Sequence, residues 1–142
     1  HSDDQYLFFL LILIICISTD IGGYVFGKVF KGPKLTKISP NKTYAGMIGA
    51  FLLSIFTATF FLNYYDYYLI DRFEILNIYN FIFIIFISSV SQFGDILISF
   101  FKRRSKIKNS GKIIPGHGGL LDRIDGMIFA FPASYLIFKI IN

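Results

Sequence analysis

The sequence predicts an all-α integral membrane protein with about four transmembrane helices and a polar site at one membrane face. Three observations predict it. Apolar stretches of bilayer length recur at 6–26, 45–65, 78–101 and 120–141. Hydrophobic residues make up 54% of the 142 residues and mean hydropathy is +0.60, beyond the usual range of water-soluble domains. Basic residues are segregated: residues 28–42 and 102–112 hold eleven of the fourteen Lys and Arg and no acid, whereas the N-terminus and residues 66–77 are acidic on balance. By the positive-inside rule both basic loops face the cytoplasm, and four alternating spans satisfy that arrangement.

The length allows one domain, 1–142. The chain begins at His1, a few residues before a hydrophobic run, which predicts a piece of a longer protein. A signal peptide fits poorly, because Ser2, Asp3 and Asp4 stand where a basic segment belongs. The first span runs over 6–26 and carries Asp20 toward its inner end, where an acid is costly unless paired or bound to a cation. Its single cysteine, Cys16, is read as a buried spectator, and one cysteine permits no intrachain disulfide. Residues 28–42 form a basic loop with five lysines, broken by Gly32-Pro33 and Ser39-Pro40. The second span, 45–65, is free of charge and ends in a tyrosine belt at Tyr64, Tyr65, Tyr67 and Tyr68. The third, 78–101, exceeds one bilayer core, so its end projects past the membrane and brings Asp95 to the interface. Residues 102–119 read as a second basic loop. The last helix, 120–141, carries Asp122, Arg123 and Asp125 in its first turns.

The chemistry concentrates in residues 99–125. Asp122 and Asp125, three apart on a helix, share a face and form an anionic pair that calls for a hard cation such as Mg²⁺. The plainer reading is a pair of acids favoured by the helix dipole. Asp95, Ser99 and Lys102 also share a face, either to meet one ligand or as a polar stripe packed on a neighbouring helix. Pro115-Gly116-His117-Gly118-Gly119 can turn backbone N–H groups toward an anion at a helix start, or can simply be a turn. His117 is read as a phosphate contact or a structural hydrogen-bonder. Lys102 and Arg103 are read as phosphate ligands, and Arg104, Lys106 and Lys108 as lipid headgroup contacts. Ser39, Lys42 and Thr43, at the start of the second span, either bind phosphate or cap the helix. There is no Walker pattern and no Gly-x-Gly-x-x-Gly, so soluble nucleotide folds lack support, and no nucleic-acid partner is expected. The residues by themselves leave open an ion-conducting protein that uses its intramembrane acids.

Several motifs in order carry a resemblance. They are Asp20-x-x-x-Tyr24-x-x-Gly27, Ser39-Pro40-x-Lys42-Thr43-x-x-Gly46, Gly94-Asp95, Ser99-x-x-Lys102-Arg103, Lys108-Asn109-Ser110-Gly111, Pro115-Gly116-His117-Gly118-Gly119 and Asp122-Arg123-x-Asp125. Together they resemble the signature of the phosphatidate cytidylyltransferase (CDP-diacylglycerol synthase) family. The sequence departs from that family at Asn41, Ala45, Ile98 and Asn109, where the family usually has Lys, an acid, Glu and Asp. The resemblance implies a nucleotidyltransferase of phospholipid biosynthesis that takes CTP and phosphatidate and releases diphosphate. It implies further N-terminal spans, and Mg²⁺ with a monovalent cation such as K⁺. Asp95, Asp122 and Asp125 become the expected metal ligands. Asp95, Lys102, Arg103, His117, Asp122 and Asp125 become the expected catalytic set. Ser39, Lys42, Thr43, Ser99, Gly118, Gly119 and Arg123 become the expected substrate contacts. The expected setting is a bacterial inner membrane, with the site on the cytoplasmic side amid membrane lipids. A homodimer is compatible with it, because four helices offer little interior for a lipid. An alternative is a family fragment that inserts without catalysing.

Overall fold

The computed structural model describes residues 2–36, 42–69, 78–106 and 125–141. Four helices follow in order: α1 (Ser2–Phe30), α2 (Tyr44–Leu69), α3 (Ile78–Arg104) and α4 (Met127–Ile141). Three of them contain stretches long and apolar enough to cross a membrane: Gln5–Phe30, Tyr44–Tyr65 and Ile78–Arg104. The all-α architecture expected from the sequence is the one observed, with three helices of membrane length among the described residues. α4 has 15 described residues, about 22 Å at 1.5 Å per residue, so by itself it is shorter than a bilayer core.

Three boundaries differ from the sequence reading. α1 continues to Phe30 and takes Lys28 into the helix; it stops at Lys31, whose φ of 41° is left-handed, just before Gly32-Pro33. α3 likewise continues through Lys102, Arg103 and Arg104, which read as loop. Cations in a last helical turn meet the negative end of the helix dipole, and apolar patterning misses that gain. The helix then ends at Ser105 and at Lys106, whose φ is 56°. The third difference concerns Asp125. It lies in a turn with Gly126, and the helix begins only at Met127, with Gly126 O accepting from the backbone N–H of Ala130. The helical i, i+3 argument that joined Asp122 to Asp125 therefore does not hold for Asp125. Asp122 lies outside the described residues.

α1 and α2 form the tightest seam. Gly22, Gly23 and Gly27 of α1 face Gly46, Gly49 and Ala50 of α2. A Cβ on Gly22 would stand 2.6 Å from Gly49 O, and one on Gly46 would stand 2.6 Å from Gly23 O. Small residues spaced this way let two helix backbones touch, which is how apolar helices gain packing energy where lipid offers no hydrophobic drive. Hydroxyl pairs tie the bundle together. Thr57 Oγ1 of α2 donates to Ser18 Oγ of α1 at 2.7 Å, and Thr19 Oγ1 lies 2.8 Å from Ser88 Oγ of α3. The apolar core gathers Leu11, Ile12, Ile15, Ile84 and Ile87 with Ala130 of α4. Outward, α2 presents Ile48, Leu52, Phe56 and Phe60 at four-residue spacing, the face lipid tails require.

α3 and α4 pack where Gly94 makes room for Phe129, since a Cβ there would lie 2.7 Å from the phenyl ring. The connection from α1 to α2 folds back on itself. Lys34 and Thr43 form an antiparallel bridge, Leu35 N–H donates to Lys42 O at 2.7 Å, and Tyr44 N–H donates to Pro33 O at 3.1 Å. This clamp fixes the backbone of Lys42 beside the C-terminal part of α3.

Candidate active site

Charged groups from three elements meet at the basic end of the bundle. Lys42 comes from the clamped connection, Asp95 and Lys102 from α3, and Asp125 from the turn before α4. Lys42 Nζ lies 3.1 Å from Asp95 Oδ2, with both side chains about a quarter exposed. Lys102 Nζ lies 2.5 Å from Asp125 Oδ2. The second pair is more enclosed, at 16% and 7% side-chain exposure.

Gly126 brings the two pairs together. A Cβ built there would stand 2.4 Å from Ser91 Oγ, 2.8 Å from Ser91 O and 3.1 Å from Asp95 Oδ1. The turn that carries Asp125 thus lies flat on α3, and the Asp95 carboxylate touches its backbone. No other residue fits that contact without displacement. Sequence reasoning missed Gly126, although a glycine directly after Asp125, where an apolar helix begins, was a usable signal. It also missed that Lys42 would face Asp95: nothing local in the sequence connects two residues 53 positions apart.

The other expected site residues divide into three groups. Ser99 is half-buried on α3 between Asp95 and Lys102. Arg103 is exposed together with Arg104, so it stands apart from the enclosed Lys102. Thr43 has the capping role: its Oγ1 accepts from Gly46 N–H at 3.1 Å, and its carbonyl accepts from Met47 N–H at 3.0 Å. Ser39, His117, Gly118, Gly119, Asp122 and Arg123 lie outside the described residues. Among the described residues no three His, Cys, Asp or Glu side chains gather to hold a metal ion. Asp95 and Asp125 form two-thirds of the acid set expected from the sequence, and their hard oxygen donors fit Mg²⁺.

The model of the cytidylyltransferase family matches residues 1–141. The chain belongs to this family. Among its relatives, the Rickettsia bellii protein named phosphatidate cytidylyltransferase is 40% identical over 131 residues, covering 90% of this chain and 57% of the relative. Proteins of the same name from Bacillus subtilis and Haemophilus influenzae are 37% and 38% identical, over 96% and 99% of this chain. They are covered to 48% and 50% of their own lengths, so this cytidylyltransferase-family chain spans about half the length of the relatives it matches. The family resemblance read from the motifs agrees with these matches.

Proposed function

We propose that this chain forms the catalytic part of a membrane-embedded CTP:phosphatidate cytidylyltransferase, which makes CDP-diacylglycerol and diphosphate for phospholipid biosynthesis. One observation carries the reading. Lys42, Asp95, Lys102 and Asp125 converge from separate elements at the basic end of three membrane-length helices. The names of the relatives support the choice of substrates. The basic loops support a cytoplasmic site on an inner membrane.

The chemistry suits such a site. In the proposed reaction an oxygen of the lipid phosphate bonds to the α-phosphorus of CTP. The bond from that phosphorus to the oxygen bridging to the β-phosphate breaks, and its electron pair leaves with diphosphate. The lipid phosphate is already an anion, so little proton removal is needed. The main barrier is repulsion between two polyanions. Asp95 and Asp125 would hold Mg²⁺, with Asp122 as the third expected ligand and K⁺ as an accompanying cation. Bound there, Mg²⁺ would neutralise phosphate charge and align the in-line displacement. Lys42 and Lys102 stand beside these acids and can donate to phosphate oxygens. Arg103, exposed at the end of α3, can meet a headgroup arriving in the plane of the membrane.

The test uses the full-length protein in lipid with labelled CTP, phosphatidate and Mg²⁺. Label should enter an organic-soluble CDP-lipid, and a chelator should stop it. Label that stays in the aqueous phase while the protein is folded contradicts the reading.

A further inference from the structure

Asp95 and Asp125 each give one carboxylate oxygen to a lysine: Lys42 Nζ at 3.1 Å and Lys102 Nζ at 2.5 Å. In these two ion pairs each carboxylate is matched by one ammonium group. A divalent cation entering on the carboxylates competes with both lysines. Taken up alone, it would leave two displaced ammonium groups beside a dication in a partly enclosed corner. Two unit charges about 4 Å apart repel by roughly 1–4 kcal/mol at effective dielectric constants between 80 and 20, and an ammonium beside a dication by about twice that. A diphosphate-bearing ligand removes that penalty, because its negative charge balances the cation and its oxygens accept from the freed ammonium groups. The exchange requires no helix movement. The backbone of Lys42 is clamped through Leu35, and Lys102 is in the last turn of α3, so only two flexible four-carbon stems must swing.

We infer that Lys42 and Lys102 are exchangeable counter-ions that make the site take a divalent cation and a diphosphate group together and resist the cation alone. The inference rests on the reading of Asp95 and Asp125 as cation-binding acids. In the ligand-free protein the lysines hold the two carboxylates. In the loaded protein they hold phosphate oxygens, and the cation takes their place.

The experiment compares Lys42→Met and Lys102→Met with the unaltered full-length protein in detergent, using two probes. Mn²⁺ alone is followed by the electron-spin-resonance signal of the unbound ion, and labelled inorganic diphosphate is followed by retention in the presence of Mg²⁺. Each substitution should tighten binding of Mn²⁺ alone by about tenfold, the effect of removing one nearby positive charge worth about 1.4 kcal/mol. Each should also weaken diphosphate retention by about tenfold or more. Opposite signs distinguish this role from structural damage, which would weaken both. Where Lys102→Met does not fold, Lys42→Met, from the more exposed pair, decides alone. Folded variants whose Mn²⁺ binding is unchanged or weaker overturn the inference, and continued CDP-lipid formation by the unaltered protein would leave the proposed function standing. The opposite-sign response in a protein that makes no CDP-lipid overturns the function and supports the exchange. Absence of Mn²⁺ binding in both lysine variants overturns the inference, and CDP-lipid formation by the unaltered protein then decides the proposed function separately.

Discussion

The α1–α2 seam and the α3–α4 corner are held by different physics. The seam is apolar and built from glycines: the Gly22 and Gly46 backbones press on Gly49 and Gly23. The corner also depends on glycines: Gly94 admits the Phe129 ring, and Gly126 lets the turn carrying Asp125 lie against Asp95. Close backbone packing in the seam has one solution, and anything larger forces the helices apart. Ion pairs in the corner have several, because a carboxylate held by lysine can equally be held by another cation. The seam is therefore a fixed scaffold, and the corner is where ligands can exchange with the protein's own groups.

Substitutions should separate the two regions. The largest effect is expected from Gly22→Val, whose Cβ would meet Gly49 O at 2.6 Å and the Cα of Ala50 at 2.9 Å. Backbone atoms cannot step aside, so the cost should be about 3 kcal/mol or more, read as a lower melting temperature in detergent with activity falling in parallel. Asp125→Asn should do the reverse. It keeps shape and drops charge, so the proposed CDP-lipid formation should fall about 100-fold, the scale for removing a key electrostatic group, while helical content by circular dichroism holds. Normal turnover in that variant would show that the corner is structural only. A smaller effect is expected from Thr57→Val, which removes the 2.7 Å bond to Ser18 and should cost about 0.6 kcal/mol with turnover unchanged. Smallest of all is Arg104→Gln: the residue is exposed, and its loss should change turnover less than about twofold, as a screened surface charge does.

The two regions also differed in how well the sequence revealed them. Long apolar runs and one-sided lysines made the spans and their shared basic end legible, because hydropathy and charge are local properties. The seam left a signal in Gly23-x-x-x-Gly27, but recognising its partner required knowing that α2 places Gly46 and Gly49 opposite. In the corner the residue types were legible and the pairing was not. Lys42 was read as a phosphate ligand and stands on Asp95; Thr43 was read with it and caps α2. Asp125 was placed on a helix by spacing and lies in a turn, because Gly126 has to lie flat on Ser91 and Asp95. The cap at Thr43 was one of the two local readings offered, whereas tertiary contact decided Lys42 and Asp125, and no window of sequence contains it.

Asp95 and Asp125 are brought into one corner from separate elements, because the turn at Asp125-Gly126 lies against α3 beside Asp95. Cross-linking tests this placement most directly, with Asp95→Cys and Asp125→Cys combined in a Cys16→Ser background of the full-length protein. Rapid disulfide formation is expected under mild oxidation in the folded protein, and none when Asp95→Cys is paired with Tyr64→Cys at the far end of α2. A folded protein whose 95–125 cysteine pair stays reduced would contradict it.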